Sequence, residues 1–313
     1  MDADFSAARR SANGRGNGMS KKRIETKASQ TAGYTCFSRA CAARERDPRL
    51  RGPDYLAERI IPFGAWWMAV IPFVRRLVMA RLFPAGIYEY VIARTKEMDA
   101  AFVEALDARF AQIVLLGAGF DTRALRFADR NRGTRIFELD VPTTQEPKRE
   151  ILRKKKIPLP PDLTFVPINF DKEDISAVLS EAGFQAGRET LFLWEGVTMY
   201  LTAQAVDQTL DFIRRNAAPG SRVVFDYIYA SVLRRENRFY GEREIFDTVA
   251  RAGEGWTFGL EGGEIGAFLA ARGFRLIAHY APDELQKKHL TADDGTPLGR
   301  INGTHCLAMA EVR

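Results

Sequence analysis

The chain is poor in the residues that cross-link small folds or hold metals, with 3 Cys and 3 His among 313 residues. Cys36, Cys41 and Cys306 are odd in number and unevenly spread, which excludes a disulfide framework and the paired spacing of a tetrahedral zinc site. His279, His289 and His305 show no metal-ligand spacing either, so no metal is expected, and a reducing, cytoplasmic setting is. No apolar N-terminal run ends in a small-residue cleavage site, so no secretory signal is expected. Nor is there an uninterrupted apolar stretch of the roughly 20 residues that cross a bilayer. The most apolar segment, residues 60–74 (IIPFGAWWMAVIPFV), is uncharged but interrupted by Pro62 and Pro72. It predicts a buried or lid-like helix, with the wall of an apolar pocket or an interfacial segment as functional alternatives. Stable membrane insertion is not expected.

The body of the chain also lacks a charge excess. Residues 1–59 hold 13 Lys/Arg and 7 Asp/Glu, which accounts for the whole formal charge of +6, and the remainder carries 33 of each sign. A nucleic-acid surface would have to come from the arm with Lys21-Lys22-Arg23, which reads more simply as a solvated tail, so no nucleic-acid partner is expected. Residues 1–27, rich in Gly, Ser, Asn, Arg and Lys without apolar period, predict a disordered basic tail.

What is present is an alternation of short apolar runs with amphipathic stretches, the pattern of an α/β parallel sheet. Seven strands are predicted, at 112–116, 135–139, 164–168, 190–194, 222–228, 275–280 and 304–310. Helical spacing fills 122–130, 144–155, 173–182, 202–216 and 261–272, the fourth opening on Thr202 as N-cap before Leu210, Phe212 and Ile213. No convincing helix separates the last two strands, so the final one is expected to return antiparallel.

The strongest local motif is Leu115-Leu116-Gly117-Ala118-Gly119-Phe120-Asp121-Thr122-Arg123, a glycine turn from strand to helix of the kind that approaches a ligand closely. A dinucleotide fingerprint would place a third Gly where Thr122 stands. Asp140 ends the second strand and is placed to accept two hydrogen bonds from a ribose diol. Glu138, two residues earlier on the same face but deeper, is a second candidate or a paired internal carboxylate. A nucleoside site is the shared reading of these features.

The run GAGFDTRALRF, then ELDVPTTQEPKREIL, then FVPINF, then FLWEGVTMYLT resembles the leucine carboxyl methyltransferase family, in particular its bacterial branch of S-adenosylmethionine-dependent O-methyltransferases. Upstream, Arg39-Ala40, Asp47-Pro48 and Ala93-Arg94-Thr95 with Asp99 extend the resemblance to about residues 28–313. It implies a class I methyltransferase (Rossmann-like) fold: a seven-stranded, mostly parallel sheet with the last strand antiparallel. Residues 28–110 would form an N-terminal helical cap, and residues 111–313 an S-adenosylmethionine-binding domain with a helical insertion at 230–260. It also implies site residues. Arg94 would pair with the methionine carboxylate, Gly117 and Gly119 would pass beneath the cofactor with Asp121 beside them, and Asp140 would hold the ribose. Asn169 and Phe170 would lie by the adenine, and Glu195 would sit near the cationic methionine portion at the floor of the transfer site. Tyr200 would reach the same region and orient a substrate oxygen, with core packing as its alternative. Asn169 stands where the family usually carries Asp, with Asp171 as a substitute if the loop shifts, and Gln30 stands where Lys is common.

The chemistry so implied is in-line methyl transfer to a carboxylate or hydroxyl oxygen of a small molecule, in which alignment and water exclusion do most of the work. A carboxylate acceptor needs no base, whereas a phenol or alcohol gains from one. His289, in a loop, is a candidate base, while His279 and His305 read as structural residues within strands. Asp226 and Tyr227, near the end of the fifth strand, are placed where substrate could be faced. Phe239, Tyr240, Phe246, Trp256 and Phe258 form a satellite core or line a pocket for a lipophilic or aromatic acceptor. The oligomeric state is not readable. A nicotinamide oxidoreductase, a non-catalytic binder of the same cofactor and, disfavoured by the neutral body, a nucleic-acid methyltransferase are the competing readings.

Overall fold

Short runs of β-branched and aromatic residues become the strands of one sheet: β1 Gln112–Leu116, β2 Arg135–Asp140, β3 Leu163–Pro167, β4 Thr190–Trp194, β5 Arg222–Ile228, β6 Phe274–Tyr280 and β7 His305–Val312. The computed structural model describes residues 29–61, 66–170, 172–253 and 255–313. The expected basic tail and Asp171 therefore lie outside the described residues, as do residues 62–65. The strand order is β3-β2-β1-β4-β5-β7-β6, with β7 antiparallel to both neighbours and the other pairings parallel. This is the class I methyltransferase (Rossmann-like) arrangement implied by the resemblance.

β1 and β4 are buried along their whole length because both faces of the sheet are covered. Their side chains alternate between two cores. Val114, Leu116, Phe192 and Trp194 face one, with Val206, Leu210 and Ile213 of the helix Ala203–Asn216. Ile113, Leu115, Leu191 and Leu193 face the other, with Met98, Phe102 and Leu106 of the helix Ile87–Asp107. Since β1 pairs with β2 on one side and β4 on the other, the order reverses at β1, and a crevice opens beyond the carboxyl ends of these strands.

Thr202 caps the helix Ala203–Asn216 as expected, its hydroxyl accepting from the Ala205 amide at 3.2 Å. Thr202→Ala is predicted to cost about 1 kcal/mol of stability; an unchanged urea midpoint would contradict the cap's role.

Three expectations need correction. A helix, Pro282–His289, does lie between β6 and β7. It escaped the periodicity because it is short and polar, with Leu285 as the apolar side chain that anchors it. The stretch 122–130 divides into a single helical turn, Arg123–Arg126, and a 3-10 turn, Ala128–Arg130. The described part of residues 60–74 is not one helix, and only Ile60, Ile61 and Ala69 of it are buried. It breaks between Trp66–Val70 and Pro72–Leu82, where Pro72 starts a new helix, and it leaves Trp66, Trp67 and Phe73 exposed, at 76% for Phe73. A segment apolar on every side can bury only one of them, here through Ala69 and Met68. Among the described residues, no helix is long and apolar enough to cross a membrane.

The helices before residue 110 share their core with the sheet region: Cys36, Phe37 and Ala40 of the helix Gln30–Ala42 pack with Phe120, Leu152 and Ile157. This packing closes one side of the crevice.

Candidate active site

The turn after β1 needs backbone that only glycine adopts readily, with φ of 69° at Gly117 and 51° at Gly119. A Cβ on Gly117 would meet Val197 Cγ2 at 2.5 Å, so a side chain is excluded by packing as well. The Gly119 amide then donates to Asp140 Oδ2 at 2.5 Å, while the Val141 amide donates to Oδ1 at 2.7 Å. Each oxygen keeps a lone pair that can accept from a hydroxyl. Burial raises the Asp140 carboxyl to about 6 against the opposing effect of those two amides and Lys148. Glu138 proves to be the internal carboxylate, buried against Lys148 Nζ, with burial raising it to about 7 despite that partner.

Across the crevice, Arg94 is buried and fixed by acids. Its Nη1 donates to Asp226 Oδ2 at 2.7 Å, and its Nε lies 3.0 Å from Glu195 Oε1. Asp226 itself takes the Tyr90 hydroxyl at 2.9 Å and the Gly196 amide at 2.6 Å, so the guanidinium is held from three elements. Arg94 Nη2 makes no hydrogen bond among the described residues, and the side chain borders the cavity. That edge is suited to a carboxylate.

Arg94 is one end of a continuous buried chain of charges. Arg39 contacts Asp54 at 3.0 Å, Asp54 contacts Arg126 at 3.4 Å, and Arg126 contacts Asp99 at 2.5 Å. Asp99 then meets Arg123 at 2.7 Å and Arg123 meets Glu195 at 2.8 Å, with Asp121 also on Arg123. Four arginines face five carboxylates, Asp226 included. With every member ionised, the chain carries one negative charge in excess at the wall of the cavity. Burial would raise Glu195, but the charges of Arg123, Arg94 and Arg39 outweigh it and hold the carboxyl at about 2. The contacts to Glu195 are charge contacts without hydrogen-bond alignment, and both of its oxygens are sealed from solvent, so it acts on the crevice through its charge.

All nine residues expected at the site line one cavity of about 740 Å³: Arg94, Gly117, Gly119, Asp121, Asp140, Asn169, Phe170, Glu195 and Tyr200. Asp121 does so while clamping Arg123, accepting from its backbone amide at 2.6 Å and from its guanidinium. Gln30 lies on the same wall. Of the five aromatics of the insertion, only Trp256 borders the cavity, while Phe239 and Phe246 pack against its cluster and Tyr240 is exposed. Trp256 packs with Met199, Ile245 and Val249 in a satellite cluster, and these four also border the cavity, where Tyr200 sets its ring edge-on to Trp256. Phe258 joins the main core instead.

The histidines require a correction. His289 contacts Glu97 and His279 bonds the Tyr227 hydroxyl at 3.0 Å, and neither borders the cavity, whereas His305 does. Neither Asp226, fully buried behind Arg94, nor Tyr227, on the other side of the strand, borders the cavity. The sequence reading also missed Asp54 and Arg126. Asp99 was visible within the family motif, but nothing local marked its partners. Among the described residues, no group of His, Cys, Asp or Glu is arranged to hold a metal ion.

A glycine turn closed by a strand-end carboxylate, at the switch point of this sheet, defines a Rossmann-like protein with a nucleoside-type cofactor site. The profile described as Leucine carboxyl methyltransferase matches residues 32–214, and the chain belongs to that family. A protein of Mycolicibacterium smegmatis to which S-adenosyl-L-methionine-dependent methyl transfer is ascribed is 35% identical over 63% of this chain and 66% of its own length. One of Mycobacteroides abscessus, similarly described, is 30% identical over 66% of each chain. The match thus spans just under two thirds of these relatives. A third, from Mycobacterium sp. (strain KMS), is 32% identical over 72% of this chain and 78% of its own. Among solved structures, a DUF574 family protein from Streptomyces avermitilis aligns over 93% of this chain and 100% of its own, with a TM-score of 0.56 at 14% identity, a likeness of fold.

Proposed function

We propose that the protein is an S-adenosylmethionine-dependent methyltransferase acting on an oxygen of a small, lipophilic or aromatic metabolite. The observation that carries this is the convergence, in one cavity, of the Asp140-closed glycine turn and the fixed guanidinium edge of Arg94. The residues present fit the cofactor: its nucleoside and amino-acid ends need a diol acceptor and a carboxylate partner, and its net positive charge complements the excess negative charge of the buried chain. When bound, S-adenosylmethionine supplies an electrophilic methyl group on a sulfonium.

Arg94 Nη2 pairs with the methionine carboxylate, and Asp140 accepts from the ribose hydroxyls. Gly117 and Gly119 admit the cofactor against bare backbone, Asp121 fixes the arginine beneath it, and Asn169 and Phe170 flank the adenine. Glu195, ionised between two arginines, favours the cationic methionine portion by its field and is too weak a base to take a proton. Tyr200 and the apolar wall of Ile245, Val249 and Trp256 receive the acceptor and exclude water.

The test is calorimetric titration with S-adenosylmethionine, S-adenosylhomocysteine and NADH. Micromolar binding of both sulfur compounds without NADH binding is expected, weakened about ten- to hundred-fold in Arg94→Ala by loss of a charge-assisted contact. Binding of NADH in their place would replace this reading with an oxidoreductase.

A further inference from the structure

His305 begins β7 and sits 5% exposed at the cavity wall, its ring 4.6 Å from that of Tyr90 and edge-on to Trp256 at 5.4 Å. The hydrogen bonds around it determine which ring nitrogen carries the proton. Asn302 Nδ2 donates to the Ala85 carbonyl at 2.9 Å, which orients the amide so that Oδ1 accepts from the Thr304 amide at 3.2 Å. The Thr304 hydroxyl lies 2.5 Å from that same Oδ1. Two acceptors cannot approach so closely, so the hydroxyl proton points at Asn302. Thr304 Oγ1 then has only lone pairs for His305 Nδ1, 2.7 Å away, and Nδ1 must be the donor. Burial first, and the Arg94 charge second, lower the imidazole to about 3, so the ring is neutral at physiological pH. A neutral ring protonated on Nδ1 has a bare lone pair on Nε2. Nε2 makes no hydrogen bond among the described residues and is not among the sealed unpaired atoms. Its lone pair therefore opens on the cavity.

We infer that His305 Nε2 is the acceptor for the hydroxyl proton of the substrate, and that the site selects a hydroxyl-bearing molecule over a carboxylate. This rests on the methyltransferase reading above and narrows it. An ionised carboxylate has no proton to donate and would set its lone pairs against that of Nε2. A phenol or alcohol instead donates to Nε2, which turns an oxygen lone pair toward the reacting carbon. In the transfer, that lone pair forms the new O–C bond, the C–S bonding pair remains on sulfur, and the hydroxyl proton passes to Nε2. The positive charge lost at sulfur reappears on the imidazolium. A weak base suffices, because an oxygen gaining a methyl group holds its proton far less tightly than a free hydroxyl does. The Thr304–Asn302 relay serves only to fix the tautomer.

The test uses 2-naphthol and 2-naphthoate, near-isosteric probes, with the full chain in the absence and presence of S-adenosylhomocysteine. Long-range 1H–15N spectra are expected to show His305 neutral and protonated on Nδ1, with the Nε2 resonance moved by naphthol. In His305→Phe, which keeps a ring between Tyr90 and Trp256, S-adenosylhomocysteine should bind within about two-fold of wild type and naphthol about ten-fold more weakly, as for loss of one hydrogen bond. Thr304→Val, which frees the tautomer, should weaken naphthol binding with His305 still present and provides the test if the Phe variant does not fold. An Nε2-protonated ring, an Nε2 resonance unmoved by millimolar naphthol, or naphthoate binding as tightly as naphthol would each overturn the inference. Failure of S-adenosylhomocysteine to bind wild type would instead sink the cofactor reading, while the tautomer and the naphthol response without cofactor still decide the role of His305.

Discussion

Replacing Arg123 by methionine is expected to lower the unfolding free energy by about 3–5 kcal/mol, the cost of leaving buried charges without their partner. The residue is 1% exposed and serves three acids at once, with Nε on Asp99 at 2.7 Å, Nη1 on Asp121 and Nη2 on Glu195 at 2.8 Å. Methionine fills much of the volume but removes the cation between the three carboxylates, leaving Asp121 without its arginine and Asp99 and Glu195 with one each, Arg126 and Arg94. Arg123→Lys should recover only part of the loss, because an ammonium is a point charge and cannot span three directions. Urea unfolding of the three proteins reads both effects. A methionine variant within about 1 kcal/mol of wild type would mean that water reaches the network, or that the acids are protonated, and would remove the electrostatic basis for cofactor binding.

The second large effect concerns pH. Burial raises the Asp140 carboxyl to about 6 in the ligand-free protein, and only the ionised form accepts from both ribose hydroxyls. Cofactor affinity should therefore be level above about pH 7 and fall toward ten-fold per pH unit below about 6, as a proton must first be displaced. Asp140→Asn should bind weakly at neutral pH and lose this slope. Stability of the free protein runs the other way. A carboxyl whose folded-state value exceeds the unfolded one of about 4 favours the folded state most below that pH, and the contribution is lost as pH rises through about 6. Calorimetry and thermal unfolding at matched pH values check the two signs. An affinity that is flat from pH 7.5 to 5 would show that Asp140 does not hold the ribose.

The strands and the glycine turn were legible in the sequence because both are local. A run such as Ile113, Val114, Leu115 and Leu116 is buried on both faces and so uniformly apolar, and the turn needs backbone freedom that a Gly-Ala-Gly spacing displays. Asp140 was legible because the end of a strand is a place the chain itself marks. The helix Pro282–His289 was not, since eight residues, six of them polar and Leu285 the one anchoring leucine, carry little periodicity. The exposed run about Trp66 and Phe73 misled in the opposite direction, because apolar composition announces burial without stating whether a partner surface exists.

The site divides along the same line. The chain alone determined which chemical groups were available: a glycine turn, an acid at a strand tip, an arginine within the helix Ile87–Asp107, and a fourth strand ending in Glu195-Gly196. Only the tertiary structure decided how they are used. Asp226 lies 132 residues from Arg94 and becomes its anchor, while Asp54, Arg126 and Asp99 close the charge chain from separate elements. His305 reads from the sequence as one more strand residue, since strand periodicity assigns a side chain to a face without showing what that face leaves empty. Folding places it beside the cavity, and Asn302, held to the Ala85 carbonyl, determines through Thr304 which of its nitrogens keeps a lone pair. Residue type sets what a group can donate or accept; the directions in which its neighbours have already used that capacity exist only in the folded chain.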